Sequence, residues 1–212
     1  MTSTITPAER SGAAASIDLI YQRRAVRSYT EEPVGEGRIR ALLDAAVHAP
    51  TAMHQEPCRF AIVQDRAVLQ ALSDRAKEMA RAAAISHSLL LRPPGAAGVG
   101  VASPLADPAF NIFYDAGTLV VICANPSNDL VAADCWLAAE NLMLAAVAHG
   151  LGTCCIGFAI AALNTPEGKK QAGIPADLTA FAPIIVGVPR GVVSPVPRKP
   201  PAVVSWIRAT TR

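Results

Sequence analysis

Residues 129–158 read DLVAADCWLAAENLMLAAVAHGLGTCCIGF, and the organisation of the chain follows from how this stretch must be housed. From Asp129 to His149 no glycine or proline interrupts a helical reading, and Trp136, Leu137, Leu142, Met143, Leu144 and Val147 are interleaved with alanines. Only Asp134, Glu140 and Asn141 are strong polar interruptions, so apolar side chains fall nearly all round the helix rather than along one stripe. Such a helix has to be covered on most sides. One small domain rarely encloses so long a helix, which predicts that a subunit partner covers part of it. Gly150 stops it in the manner usual for a C-terminal cap, and Cys154 to Phe158 reads as a short strand or turn.

Upstream, Thr118 to Ala124 is a continuous apolar run of strand length, as a strand buried on both faces requires. Arg59 to Val63 reads as another strand. Ala67 to His87 reads as a helix, its stripe supplied by Leu69, Leu72, Ala76, Met79 and Ala83. The segment from Arg92 to Pro108 is broken by prolines and glycines and predicts a long surface loop or lid. Nearer the start, Ile17 to Arg24 is compatible with a short helix and Val26 to Tyr29 with extended chain, followed by a turn at Pro33-Val34. Glu36 to Val47 carries Ile39, Leu42, Leu43 and Ala46 at helical spacing, and Ala49-Pro50 stops it. Downstream, Glu167 to Ala172 predicts a short helix ending at Gly173. Ala180 to Val188 predicts a strand in which Pro183 favours an edge or a bulge. A proline-rich tail follows, with Val203 to Arg208 as a last short helix. The pattern is α+β or α/β with one sheet, in a single domain from 17 to 212 behind a flexible extension of residues 1–16.

The chain has 212 residues, a length suited to one domain. Hydrophobic residues make up 51% and charged residues 17%, so a sizeable core is available and global disorder is excluded. The net charge of +2 and the scattered basic residues give no nucleic-acid footprint. No apolar run reaches the ~20 residues of a bilayer span, and the first 16 residues lack the plan of a signal peptide. Five cysteines, with Cys154 and Cys155 adjacent and no CxxC pair, argue against both a disulfide framework and a zinc site. Buried thiols in a reducing cytoplasm are the expectation.

Four constellations carry possible chemistry. Arg23-Arg24-Ala25-Val26-Arg27-Ser28-Tyr29 sets three arginines within five positions; their guanidinium forks suit a phosphorylated ligand, although on this motif alone a solvated basic patch is the better reading. In Ala49-Pro50-Thr51-Ala52-Met53-His54-Gln55-Glu56-Pro57-Cys58-Arg59-Phe60 a helix stops, a polar loop follows and a strand begins, which serves either a ligand or an ordinary connection. Asn141 with Gly150-Leu151-Gly152-Thr153-Cys154-Cys155-Ile156-Gly157-Phe158 offers glycines that admit a flat ligand close to the backbone, or that simply cap and turn. Pro197-Arg198-Lys199-Pro200 holds a basic pair in a stiff frame, or in a solvated tail. Gly95 to Gly100 lacks GxGxxG spacing and is discounted as a dinucleotide fingerprint.

Taken in order, these four resemble the nitroreductase family over about Ile17 to Ile207. Asn141-Leu142-Met143-Leu144-Ala145-Ala146 with Gly150-Leu151-Gly152-Thr153 is similar to that family's central helix and its exit, and Gly187-Val188-Pro189, Arg198 and Val203-Val204-Ser205-Trp206-Ile207 are similar to its ending. The resemblance implies an α+β, three-layer fold with a central mixed or antiparallel sheet flanked by helices, in a homodimer with the cofactor FMN across its interface. It implies that Arg23 and Arg198 contact the FMN phosphate, with Lys199 a lesser candidate. Arg24 and Ala25 would line the ribityl chain and ring edge, and Arg27 the N1–O2 edge of the ring. Thr51, Ala52 and His54 come from the polar loop, and the Ile156-Gly157-Phe158 backbone approaches near N5. NADPH or NADH would be the electron donor and a nitroaromatic, quinone or similar small molecule the acceptor, in ping-pong order. No side chain is expected to be catalytic and no metal is expected, because the flavin carries the redox chemistry.

This chain departs from the family pattern at His54 for Asn, Glu56 for Gln, Cys58 for Trp and Cys155 for Trp. Glu56 would oppose negative charge on a nearby cofactor unless it pairs with an arginine. His54 and Glu56 are expected as hydrogen-bonding loop residues rather than proton donors, Tyr29 as a core residue, and His48, His87 and His149 as surface or cap residues. A flavin-dependent dehalogenase, a flavin-fragmenting enzyme and a non-enzymatic FMN-binding protein stay open as alternatives on the same fold.

Overall fold

The computed structural model describes residues 14–91 and 107–208, with side chains from 17–82 and 107–208. The run from Thr118 to Ala124 forms strand β2, and all seven of its residues are buried. Its alternate side chains enter two separate cores: Leu119, Val121 and Cys123 point to one face, Val120, Ile122 and Ala124 to the other. Full burial of such side chains stabilises by about 1.5–3 kcal/mol each, so this strand fixes the middle layer. Its neighbours are β1 (Arg59–Val63) and β4 (Thr179–Gly187), and β3 (Gly152–Cys155) pairs with the far side of β4. The order is β1-β2-β4-β3 and every ladder is antiparallel. One parallel bridge, Ala25 to Thr153, adds the entering chain beside β3.

On one face lie α2 (Glu36–Val47) and α4 (Val131–Ala148), which share a core built on Leu42, Ala46, Cys135, Ala139 and Leu142. On the other lie α3 (Arg66–Leu91), α5 (Ala159–Leu163) and α6 (Pro166–Ala172), around Leu72, Phe113 and Leu163. The result is helix, sheet, helix in three layers. By length and composition α4 could cross a membrane, with a mean hydropathy of 1.4 over 18 residues. Its packing against α2 and the sheet, and its buried Asp134, make it a core helix.

The helix ends follow local chemistry. Gly150 and Gly173 take positive φ, of 68° and 69°, where α4 and α6 stop. Asp65 accepts the N–H groups of Ala67 and Val68 at 2.8 and 3.1 Å and caps α3. His48 and His149 stand at the C-caps of α2 and α4; His87 lies where no side chain is described. Tyr29 is buried, and its hydroxyl donates to the Val26 carbonyl at 2.6 Å.

The structure differs from the sequence reading at four places. Val203 to Arg208 is not a helix: it is exposed and without regular structure, because the prolines before it detach it from any surface that could cover its apolar face. Pro183 is in β4, an interior strand. Its carbonyl accepts from the N–H of Ile156 just beyond the end of β3, so its missing N–H falls where the ladder has run out. The ladder irregularity lies beside it, where Phe181 is skipped between Ala182 and Ala180. α1 (Ala14–Gln22) begins before Ile17, and α5 was not anticipated. Residues 1–13 and 92–106, which hold most of the expected extension and loop, lie outside the described residues.

Two predictions follow from this packing. A Cβ on Gly152 would lie 2.7–2.9 Å from Val26 side-chain atoms, so Gly152→Ala is expected to cost about 1–3 kcal/mol in urea unfolding. Adding Val26→Ala should recover part of that loss, and strict additivity would show that the two do not meet. Burial pushes the Cys123 thiol from 9.0 to about 11 and raises Tyr29 well above its ordinary 10.0. The fold therefore favours both neutral forms; their contribution is complete below pH 9 and declines as pH rises towards 11 and beyond. A urea midpoint that stays flat over that range would contradict this.

Candidate functional site

The chain leaving α1 runs along the sheet end in an extended path. The N–H of Val26 donates to the Thr153 carbonyl at 2.9 Å, and the N–H of Thr30 donates to that of Val188 at 2.9 Å. Val26 packs where Gly152 has no side chain, and the Tyr29 ring where Gly187 has none. These contacts place Arg23, Arg24, Ala25 and Arg27 beside β3. Arg23 Nε donates to Glu140 Oε1 of α4 at 3.1 Å. Arg24 folds back on the carbonyl of Arg23 at 2.8 Å, while its Nε is buried with no partner. Arg27 is exposed, its guanidinium 5.8 Å from the centre of the Tyr114 ring. Burial raises the Cys154 thiol above its ordinary value, and Arg27 and Arg23 are near enough to oppose that rise.

Ile156 is buried and tied to Pro183, whereas Gly157 is exposed, with nothing within 4 Å of where a Cβ would stand. Arg23, Arg24, Ala25, Arg27, Ile156 and Gly157 thus gather about one strand. Beyond Arg27 a polar cleft of about 530 Å³ continues to Arg66 and Arg190. Among the described residues none of these three arginines has a carboxylate partner within 4.0 Å.

The polar loop stands elsewhere. Met53, His54 and Glu56 all take positive φ, of 54°, 54° and 44°, a left-handed path that is costly for residues with a Cβ. Two contacts hold it. The Thr51 hydroxyl accepts the N–H of Glu56 at 3.2 Å, and the Asp134 carboxylate accepts that of Ala52 at 3.1 and 3.3 Å. Met53 and His54 are exposed. Among the described residues no arginine pairs with the Glu56 carboxylate; the nearby Arg59 reaches the Glu56 carbonyl instead, at 3.0 Å. Along α4 the anchor Asp134 is six residues from Glu140, the partner of Arg23, a rise of about 9 Å. Arg198 lies on the exposed tail, and among the described residues no contact joins it to Arg23.

The structure therefore brings together the expected residues from the two ends of the β3 neighbourhood, and leaves the loop and the tail as separate pieces. Sequence reasoning missed Asp134 and Glu140, which it took for polar interruptions. Their signal is a carboxylate on an otherwise apolar helix; Asp134 is buried and so requires a partner, whereas Glu140 is half-exposed and is marked only by its place among apolar residues. Arg66 and Arg190 were also missed, being isolated in sequence.

A match to the family model described as "Nitroreductase family" covers residues 20–188. A protein of Archaeoglobus fulgidus, named as a candidate NADH dehydrogenase/NAD(P)H nitroreductase, is 26% identical over 179 residues, covering 82% of this chain and 85% of that one. Among solved structures, a nitroreductase with bound FMN from Bacteroides fragilis superposes with a TM-score of 0.74 at 22% identity, covering 92% of this chain and 99% of that one. One from Desulfitobacterium hafniense, also with bound FMN, gives 0.71 at 17% identity, covering 87% and 94%. The three-layer fold is the fold of these structures, and with four-fifths of its length matched the chain belongs to the nitroreductase family.

Proposed function

We propose that this protein is an FMN-dependent oxidoreductase that takes hydride from NADPH or NADH and reduces a nitroaromatic, quinone or similar small acceptor. The observation that carries the reading is the buried, unpartnered Nε of Arg24, set among Arg23, Arg27 and the open backbone at Gly157. A buried donor without an acceptor is costly in a finished interior, and a phosphorylated, flat cofactor supplies both the acceptors and the shape that Gly157 leaves room for. Arg23 and Arg24 would hold it from this chain, joined by Arg198. Arg27 sets a fixed positive charge at the edge of the site. FMN when bound supplies the redox chemistry. The chain's part is to bind and orient it and to leave one face open to donor and acceptor in turn, which is the ping-pong order. The cleft from Arg27 to Arg66 and Arg190, whose lining also includes Glu31 and Asp115, offers a nicotinamide donor three guanidinium groups against two carboxylates.

The same reading makes the protein a homodimer. Thr51, Ala52 and His54 lie apart from the arginine cluster in one chain, so a second copy completes the site by bringing its loop to that cluster. The exposed apolar side chains fit this: Ile17 and Ile20 on α1, Trp136 and Leu137 on α4, and Val204, Trp206 and Ile207 on the tail. A cytoplasmic setting, with NADPH or NADH and reduced thiols available, belongs to the proposal.

The visible spectrum of the freshly purified protein tests it, with NADPH and then NADH added in the absence of oxygen. A flavin spectrum that bleaches on addition supports the reading; a colourless protein that takes up no added FMN overturns it. Arg27→Ala is expected to lower the reduction potential of bound FMN and slow its reduction by donor. Arg198→Ala is expected to weaken FMN binding about tenfold or more, as loss of a charge-assisted hydrogen bond of ~1.5–3 kcal/mol implies. Unchanged FMN affinity in that variant would remove Arg198 from the phosphate site.

A further inference from the structure

Outside the arginine cluster, two sulfur atoms from distant parts of the chain meet. Cys58 directly follows the polar loop and Cys135 stands in the first turns of α4, yet their Sγ atoms are 4.0 Å apart. Cys135 is fully buried and Cys58 half-buried. On either side of the pair the chain is already fastened: Asp134, next to Cys135, holds Ala52 of the loop, and Arg59, next to Cys58, reaches the carbonyls of Glu56 and Cys58 at 3.0 and 2.8 Å. We propose that Cys58 and Cys135 are a dithiol site that hydroperoxides convert to a disulfide, tying the loop to α4.

The asymmetry of the pair assigns the roles. Sharing a proton with Cys135 holds the Cys58 thiol below its ordinary value, against burial and Asp134, and Arg59 adds to the lowering. The same contact, with burial, pushes Cys135 up. Cys58 is also the one that solvent reaches, so it is the attacking thiolate. Its sulfur takes one oxygen of hydrogen peroxide as the O–O bond breaks, and the leaving hydroxide gains a proton to become water. Cys58 is then a sulfenic acid. The Cys135 sulfur attacks the Cys58 sulfur, the S–O bond breaks, and the departing hydroxide leaves as water with the Cys135 proton. Two thiols and one peroxide give one disulfide and two waters. The sulfurs must close to ~2.0 Å, a movement that rotation of the half-buried Cys58 side chain can supply. This chemistry stands on the thiol geometry and does not depend on the bound cofactor.

The test uses the full-length protein, freed of reductant and treated with hydrogen peroxide. Thiols titrated after denaturation are expected to fall by two, from the five of the sequence to three, and peptide mapping to find Cys58 joined to Cys135, reversibly by dithiothreitol. Cys135→Ser is expected to accumulate a sulfenic acid at Cys58, trapped by a cyclic 1,3-dione. Cys58→Ser is expected to give no crosslink. The proposal is overturned if wild-type Cys58 passes to the sulfinic acid with Cys135 still free. It is equally overturned if the disulfide that forms joins other cysteines or two subunits, as a non-reducing gel and the map would show.

Discussion

The site rests on one steric arrangement: two side chains of an extended segment seated where two glycines leave the sheet bare. Val26 occupies the space over Gly152 and the Tyr29 ring that over Gly187. Backbone hydrogen bonds from Val26 to Thr153 and from Thr30 to Val188 set the register, and the Tyr29 hydroxyl closes back on Val26. Three arginines ride on this segment with no regular element of their own to place them. Their position is therefore inherited from close packing at the sheet end, where a shift of even a methyl group is felt. The ion pair of Arg23 with Glu140 is partly exposed and is worth little by itself. It orients a side chain whose backbone is already fixed.

The second feature is the division of polar groups along α4. Asp134 near its start serves the loop, and Glu140 in its middle serves the arginine segment. Both carboxylates are on a helix that otherwise reads as core. The loop needs such an anchor because three of its residues sit in left-handed backbone without glycine. A buried carboxylate accepting a backbone N–H offsets part of that strain, and the loop keeps His54 and Met53 turned outward.

Much of this was legible in the chain. β2 announced itself as seven apolar residues in a row, and α4 as a helix apolar on nearly every side, because burial on both faces or all round leaves no alternation to read. Gly150 and Gly173 marked helix ends through the positive φ that only glycine takes cheaply. The tail was misread: Val203 to Arg208 is rich in β-branched residues with weak helix propensity, and a segment so short gains nothing from a helix without a surface to cover it. Pro183 was read as a sign of an edge or a bulge; β4 is interior, an irregularity does stand close by at Phe181, and the proline is tolerated because of the side its nitrogen faces. In the site, Arg23, Arg24 and Arg27 were visible as a cluster in sequence. Asp134, Glu140, Arg66 and Arg190 were not, since they become neighbours only through the fold.

Lys77 of α3 has a further meaning. Its buried ammonium donates to the carbonyls of Pro108 and Phe110 at 3.1 and 2.9 Å, and the Ser73 hydroxyl accepts the N–H of Ile112 at 3.1 Å. The chain is thus clamped to α3 just before it enters β2. The alignment of the central strand is therefore held locally, by side chains of α3 that grip the main chain shortly before the strand begins.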